Sequence, residues 1–362
     1  MKVGMFAIGI ACAGLAAQGG AHAADGAGAV YSITNSPTNN EVLIYTRDGN
    51  GSLHSAGVVA TGGTGTGTGL GSQNALTMSD DQRWLFVVNA GSNSLSVFYV
   101  GAHGSLTPVQ VIASGGSMPT SVAYRNGLVY VLNAGVPNNV SGFRVDSRGR
   151  LTPLVNSTRP LSGPSTAPAQ VGFSEDGSTL IVTERATNRI TTFAIDGDGL
   201  LDGPYVTPSA GPTPFGFAVD KRNTLFVSEA GTGGGTSTYT IDDTFQIMPA
   251  SSMLMTGQRA ACWAIVTRNG RFGYVTNAGT GNISGFHIEP DGTAALLNAD
   301  GVTAVTGGNP TDMAMSNDSQ YLYVRVAALD AIAIFRLGAD GSLAPVASSA
   351  VLPASAVGLA GY

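Results

Sequence analysis

The chain has 362 residues, a formal net charge of −6 and only 11% charged side chains against 43% hydrophobic ones. With 17 Lys and Arg against 23 Asp and Glu, no basic patch is left for nucleic acid or an anionic lipid surface. Two cysteines exclude a disulfide-built scaffold.

Met1-Lys2-Val3, the apolar and small-residue run from Gly4 to Ala17, and Ala21-His22-Ala23 fit a secretory signal cleaved after Ala23. That places the mature protein, residues 24–362, in the periplasm or outside the cell. Cys12 raises a lipoprotein anchor, but Gly9-Ile10-Ala11-Cys12 lacks the usual Leu before the Cys, so a soluble exported protein is expected. No later apolar run reaches transmembrane length. Cys262 is then the one remaining cysteine, and no intrachain disulfide can form.

From Val30 onward a single pattern recurs: a β-branched and aromatic run, a small polar turn, and a second alternating run, which is a hairpin. Its copies are Val30 to Thr46, Trp84 to Val100, Leu128 to Val145, Leu180 to Ile195, Leu225 to Ile241, Arg271 to Ile288 and Tyr321 to Leu337. The aromatic near the end of each copy (Tyr45, Phe98, Phe143, Phe193, Tyr239, Phe286, Phe335) steps by 53, 45, 50, 46, 47 and 49 residues. A β period in the forties predicts propeller blades, since one such sheet buries both faces only by stacking on its neighbours. Asp-Gly or Asn-Gly pairs at 48, 126, 176, 198, 269, 291 and 340 mark tight turns between the strands.

Upstream of each hairpin lies an innermost strand opening on Pro: Pro119, Pro168, Pro214, Pro310 and Pro353, with Ala261 and Ser72-Gln73-Asn74-Ala75 as the variants. Proline suits a strand start, where no ladder donor is lost. The first copy has no innermost strand before it and the last such strand, Pro353 to Leu359, has nothing after it, so the two ends complete one blade. The expected fold is therefore an all-β, seven-bladed propeller of four-stranded antiparallel blades, one domain, monomeric. The run Thr61 to Gly71 matches no phosphate-binding motif and reads as a flexible loop.

No C-x-x-C, H-E-x-x-H, EF-hand or G-x-S-x-G motif occurs, and no metal or cofactor is expected. His54, His103 and His287 fall on outer strands or a turn. The residue ending each second strand reads Asn89, Asn133, Glu184, Glu229, Asn277 and Val326. On the sequence alone it faces the channel. Asn there suits a turn cap, whereas a carboxylate in two adjacent copies suggests ligand contact or proton transfer. Arg185, Arg259, Arg325, Asp312, Gln170 and Asn74 converge on the same mouth, with Trp263 and Phe215 as flat apolar surfaces. An arginine beside a cleft holds carboxylates and oxyanions. A neutral polar lining is the competing reading, and Cys262 reads as an inert, partly buried thiol.

Tyr274-Val275-Thr276-Asn277 and the outer-turn Asp340-Gly341-Ser342-Leu343 resemble the repeat core of the seven-bladed propeller lactonase family, which includes propeller-type 6-phosphogluconolactonases and fungal 3-carboxymuconate lactonising cyclases. The resemblance spans nearly all of the mature chain. It implies a metal-free lactonase or cycloisomerase acting on a small carboxylated lactone, with Glu184 matching the family's Glu. The family's Arg-His pair falls on Ala169-Gln170 and a later Arg on Ala278, so two of its groups are missing. Glu184, Arg185 and Glu229 are the catalytic candidates, and Arg259, Arg325, Gln170, Trp263, Asp312 and Asn74 the substrate-binding ones. The alternative is a non-catalytic envelope propeller that binds or scaffolds.

Overall fold

A computed structural model describes Met1 and residues 28–242, 244–346 and 350–362. The signal-peptide and Cys12 expectations lie outside the described residues. Seven antiparallel sheets form a ring. Blade 1 is built from Gly28–Ile33, Glu41–Arg47 and Leu53–Ala60, with Val357–Gly361 as its innermost strand. The expected closure is thus observed: Val30 pairs with Gly361 and Ile33 with Val357.

Blades 2 to 7 begin with the innermost strands Leu76–Met78, Pro119–Arg125, Pro168–Phe173, Pro214–Val219, Ala261–Val266 and Pro310–Met315. In blades 3, 6 and 7 the outer strand is broken into two short pieces that pair with the same third strand. Among the described residues the helical elements are two three-residue 3-10 turns, Ala102–Gly104 and Ala327–Leu329. None is long or apolar enough to cross a membrane.

Alternation explains the core. The seven aromatics that mark the repeat all sit on third strands and are buried, from Phe193 at 0% exposure to Tyr45 at 4%. They fill the gaps between neighbouring sheets, where full burial of such a ring contributes about 1.5–3 kcal/mol. Tyrosines on second strands add a polar tie between blades. The hydroxyl of Tyr31 donates to Gly104, Tyr130 to Gly199, Tyr274 to Gly341 and Tyr323 to Gly51, at 2.6–3.2 Å, in each case to a turn of the next blade.

The turns use the polar chemistry expected of them. Asp146, Asp196 and Asp340 each accept backbone N–H bonds from within their own turn; those bonds hold the Asp146 carboxyl below the usual carboxylate range, and the Ser342 hydroxyl followed by the Ser342 N–H does the same for Asp340.

The run 61–71 is the main departure from expectation inside the ring. It is not a free loop: Gly65 and Gly67 donate to the carbonyls of Ser36 and Asn35, and the Asn35 side chain holds Thr66 and Thr68. Polar groups of blade 1 have fixed a glycine-rich segment that composition alone leaves unconstrained.

Candidate functional site

The innermost strands start, and the second strands end, on one face of the ring, here called the upper face. There the chain from Leu70 to Asn74 turns inward and crosses the channel. The Gln73 side chain forms a two-way amide clamp with Ala264 of blade 6, donating to its carbonyl at 2.7 Å and accepting from its N–H at 2.9 Å. The Gln73 N–H donates to Ala169 of blade 4 at 3.0 Å, and Ser72 Oγ donates to the Thr120 carbonyl of blade 3 at 2.8 Å. Gln170 makes the same clamp between blades 4 and 5, on Phe217 at 2.9 and 2.7 Å. These bonds plug the channel and divide it into an upper pocket and a lower chamber.

The upper pocket, about 280 Å³, is lined by Leu70, Ser72, Trp263, Asp312, Arg325 and Val357. Trp263 is fixed by a 3.0 Å bond from its indole N–H to the Ser72 carbonyl and by Phe215, whose ring lies 5.0 Å away. Asp312 is the extra residue of a β-bulge between Thr311 and Met313, held at φ +53°. Bulges re-aim single side chains in this way. Its Oδ1 accepts from the Met313 N–H at 2.9 Å, while Oδ2 is buried with no hydrogen-bond partner among the described residues.

Burial pushes this carboxyl up to about 7, and the Met313 N–H, the Arg325 cation and the Leu359 amide only partly offset that. Arg325, 6% exposed, donates from Nη1 to Thr311 at 2.6 Å and from Nη2 to the Ala354 carbonyl at 3.1 Å. Its Nε is buried without a hydrogen-bond partner among the described residues, and desolvation lowers the guanidinium pKa. Each charged group is tethered through part of its polar atoms and leaves one donor or acceptor unused.

The structure unites Asp312, Arg325 and Trp263 and separates the other predicted residues. Arg185 lies on the far side of Gly71, its guanidinium 5.3 Å over Phe215 and its Nε donating to the Ala167 carbonyl at 3.0 Å. Arg259 is exposed on the upper rim, bonded to the Gly279 carbonyl. Gln170 and Asn74 line the lower chamber instead. Cys262 is buried beside Arg185 and its thiol is pushed up to about 12 by desolvation, as expected of an inert thiol.

Glu184 and Glu229 require a correction of placement: both are fully buried inside their blades, not in the channel. Glu184 accepts bonds from the Ser162 N–H and hydroxyl, Thr187 and Thr191. Glu229 Oε1 accepts from Ser209 and Ser237. The asparagines do likewise: Asn89 donates to Ser96, Asn133 to Ser141 and Asn277 to Ser284. In every case the third-strand hydroxyl lies seven or eight residues downstream.

Where the second strand ends on Val326, the residue seven further on is Ala333, so both partners are apolar. This paired substitution is a sequence signal that the position faces the third strand, and it shows only when the copies are compared two positions at a time. Ser72, Gln73 and Thr311 give no such signal, because their roles depend on a chain crossing that no local pattern encodes.

Comparison with known proteins agrees with this architecture. The model of the family described as Lactonase, 7-bladed beta-propeller matches residues 31–166, 136–246 and 236–357. No curated protein matches the chain. Among solved structures, a putative 6-phosphogluconolactonase of Bacteroides uniformis is 16% identical, with a TM-score of 0.76 over 91% of this chain and 98% of that one. The periplasmic gluconolactonase of Pseudomonas aeruginosa is 18% identical, with a TM-score of 0.74 over 91% and 98%. At such identities the structural likeness speaks for the fold. The family match covers the ring from its first blade to its closing strand, and the chain belongs to the seven-bladed β-propeller lactonase family.

Proposed function

We propose that the protein is an exported lactonase that opens a small carboxylated lactone in the upper pocket, with Asp312 as general base and Arg325 as oxyanion donor. The observation that carries this reading is that Asp312 and Arg325 line one pocket beside Trp263, and that each holds a buried polar atom, Oδ2 and Nε, with no hydrogen-bond partner among the described residues. In the reaction a water oxygen bonds to the lactone carbonyl carbon and its proton passes to Asp312. Arg325 Nε–H donates to the oxygen that gains charge. Collapse breaks the ring C–O bond, and the proton on Asp312 moves to the leaving alkoxide, giving a hydroxy acid.

A donor already held by Thr311 and Ala354 needs no reorganisation as charge develops, which is what makes such groups effective. Trp263 supplies a flat apolar wall for the ring. Arg185 lies outside this pocket, across Gly71 from it, and takes no part in the proposed step. Export rests on the sequence of residues 1–23.

The test is hydrolysis of a panel of sugar and muconate lactones. Asp312→Asn is expected to lower kcat/KM by roughly 10²–10⁴, and Arg325→Lys by about 10²-fold. Since Asp312 titrates near 7, wild-type kcat/KM should rise with pH to a plateau above that value. Glu184→Gln, by contrast, should keep activity within about threefold and cost ~1–3 kcal/mol of stability, because an amide cannot accept all the bonds made to the carboxylate. Wild-type rates no faster than buffer across the panel would leave a binding propeller as the better reading. Loss of activity in Glu184→Gln with unchanged stability would return the chemistry to that residue.

A further inference from the structure

We propose that the lower chamber is a second binding site, separate from the upper pocket, for a small monocarboxylate with an apolar body and a polar group at its far end. The chamber consists of three adjoining lobes of about 270, 340 and 530 Å³ that share lining residues. Its throat is ringed by half-buried apolar side chains, one from each of six blades: Met78, Tyr124, Phe173, Val219, Ile265 and Met315. This ring of side chains favours a hydrocarbon or aryl body between the polar groups at its two ends.

Polar groups stand at the two ends of the throat. At the floor, beside the Gln73 plug, lie Asn74 and Thr77, each lining two lobes. The Asn74 backbone is committed at φ +63°, with its carbonyl bonded by the Val122 N–H. Its side-chain amide and the Thr77 hydroxyl make no hydrogen bond to the described residues. The neighbouring Gln73 and Gln170 amides are fully used in their clamps. One amide and one hydroxyl are therefore available to a single polar group reaching the floor.

The rim determines the sign of the other end. Arg125 lies 3.8 Å from Asp80 and 3.2 Å from Glu175, and Arg222 lies 2.5 Å from Asp220. Lys221 and Arg268 also line the rim and have no acidic partner within 4.0 Å among the described residues; Arg268 is steadied by the Asn317 side chain and by Ser319. The uncompensated charge is positive and stands where the chamber opens, matching a carboxylate left at the water interface while the body is buried.

The probe is para-hydroxyphenylpropanoate, titrated by calorimetry into the whole protein, with its methyl ester and phenylpropanoate as comparisons. Saturable binding is expected, weaker for the ester and weakened by salt. Lys221→Ala combined with Arg268→Ala should reduce affinity by about tenfold, and Asn74→Ala should abolish the preference for the hydroxylated acid over phenylpropanoate. Asp312→Asn and Arg325→Lys should bind as the wild type does, whatever their effect on lactones.

No heat or chemical-shift change at roughly 10 mM acid overturns the proposal. Equal binding of acid and ester also overturns it, and so does loss of binding in the Arg325 variant, which would move the ligand to the upper pocket. Circular dichroism of each variant separates lost binding from lost folding.

Discussion

Glu229 occupies the same strand-end position as Glu184 with fewer partners, and the difference has a measurable consequence. Its Oε2 is buried without a hydrogen-bond partner among the described residues, and desolvation pushes the carboxyl from 4.5 up to about 7, against the Ser237 and Ser209 hydroxyls and the Gly211 N–H that pull it down. Because the folded chain favours the protonated form, the associated stability is complete below the unfolded value and is lost as pH rises through about 7. Taking the wild type from pH 4 to pH 8 should therefore cost up to ~3 kcal/mol through this residue. Glu229→Gln, uncharged and nearly isosteric, should match the wild type in urea midpoint at low pH and exceed it at pH 8. Parallel pH profiles for the two proteins would show that the carboxyl is not neutral in the fold. Asp312 carries the same sign, so some dependence should survive in the variant.

The segment that crosses the channel shows what an element does that its residues taken singly do not. Ser72, Gln73 and Trp263 tie blades 2, 3, 4 and 6 together across the axis. The crossing needs a gap in blade 5, and Gly216 leaves it. A Cβ there would lie 2.1 Å from Gln73 Oε1 and 2.7 Å from the Cys262 carbonyl. Gly216→Ala should destabilise the protein by about 1–3 kcal/mol, read from chemical denaturation, since the nearest atoms are clamped and cannot yield. A neutral result would mean that the plug is loosely held. The same segment carries Asn74 past the plug into the lower compartment, where Gln170 of the blade 4 innermost strand also lines the wall. A strand register can be inferred from alternation, but a chain that crosses an axis moves its residues to a depth that alternation does not encode.

At the scale of the molecule, the ring is held shut by one short strand. Val357–Gly361 pairs with Gly28–Ile33, the Ser355 hydroxyl donates to the Thr34 carbonyl at 2.7 Å, and the Tyr362 N–H to Ala29 at 3.1 Å. Each blade is stabilised mainly by its neighbours, so loss of one contact is felt around the array. Truncation after Leu352 should convert a sharp thermal transition into a broad, earlier one and expose residues 28–60 to proteolysis. A transition unchanged in midpoint and width would show that six blades and an open seventh are self-sufficient.

Most of this architecture was legible before any coordinates. The recurring aromatic, the proline at the head of each innermost strand and the paired chain ends all follow from local propensity and burial, which act over a few residues and repeat seven times. The site was legible only in part. Residue type alone marks Asp312, Arg325 and Trp263 as suited to a ligand, whereas the strand-end pattern points Glu184 and Glu229 at the channel and the fold buries both inside their blades. Their partners are hydroxyls seven or eight residues away across a hairpin, a pairing visible only once all copies are compared.

The amino-acid sequence by itself therefore determined the number of blades, their strand order and the way the ring closes, because hydrophobic periodicity and turn chemistry are local. Only the tertiary structure decided which polar groups are saturated and which are left with a free atom. That depends on desolvation and on partners brought in from distant blades: the bulge that carries Asp312 at the pocket, and the Gln73 and Gln170 clamps that split the channel in two.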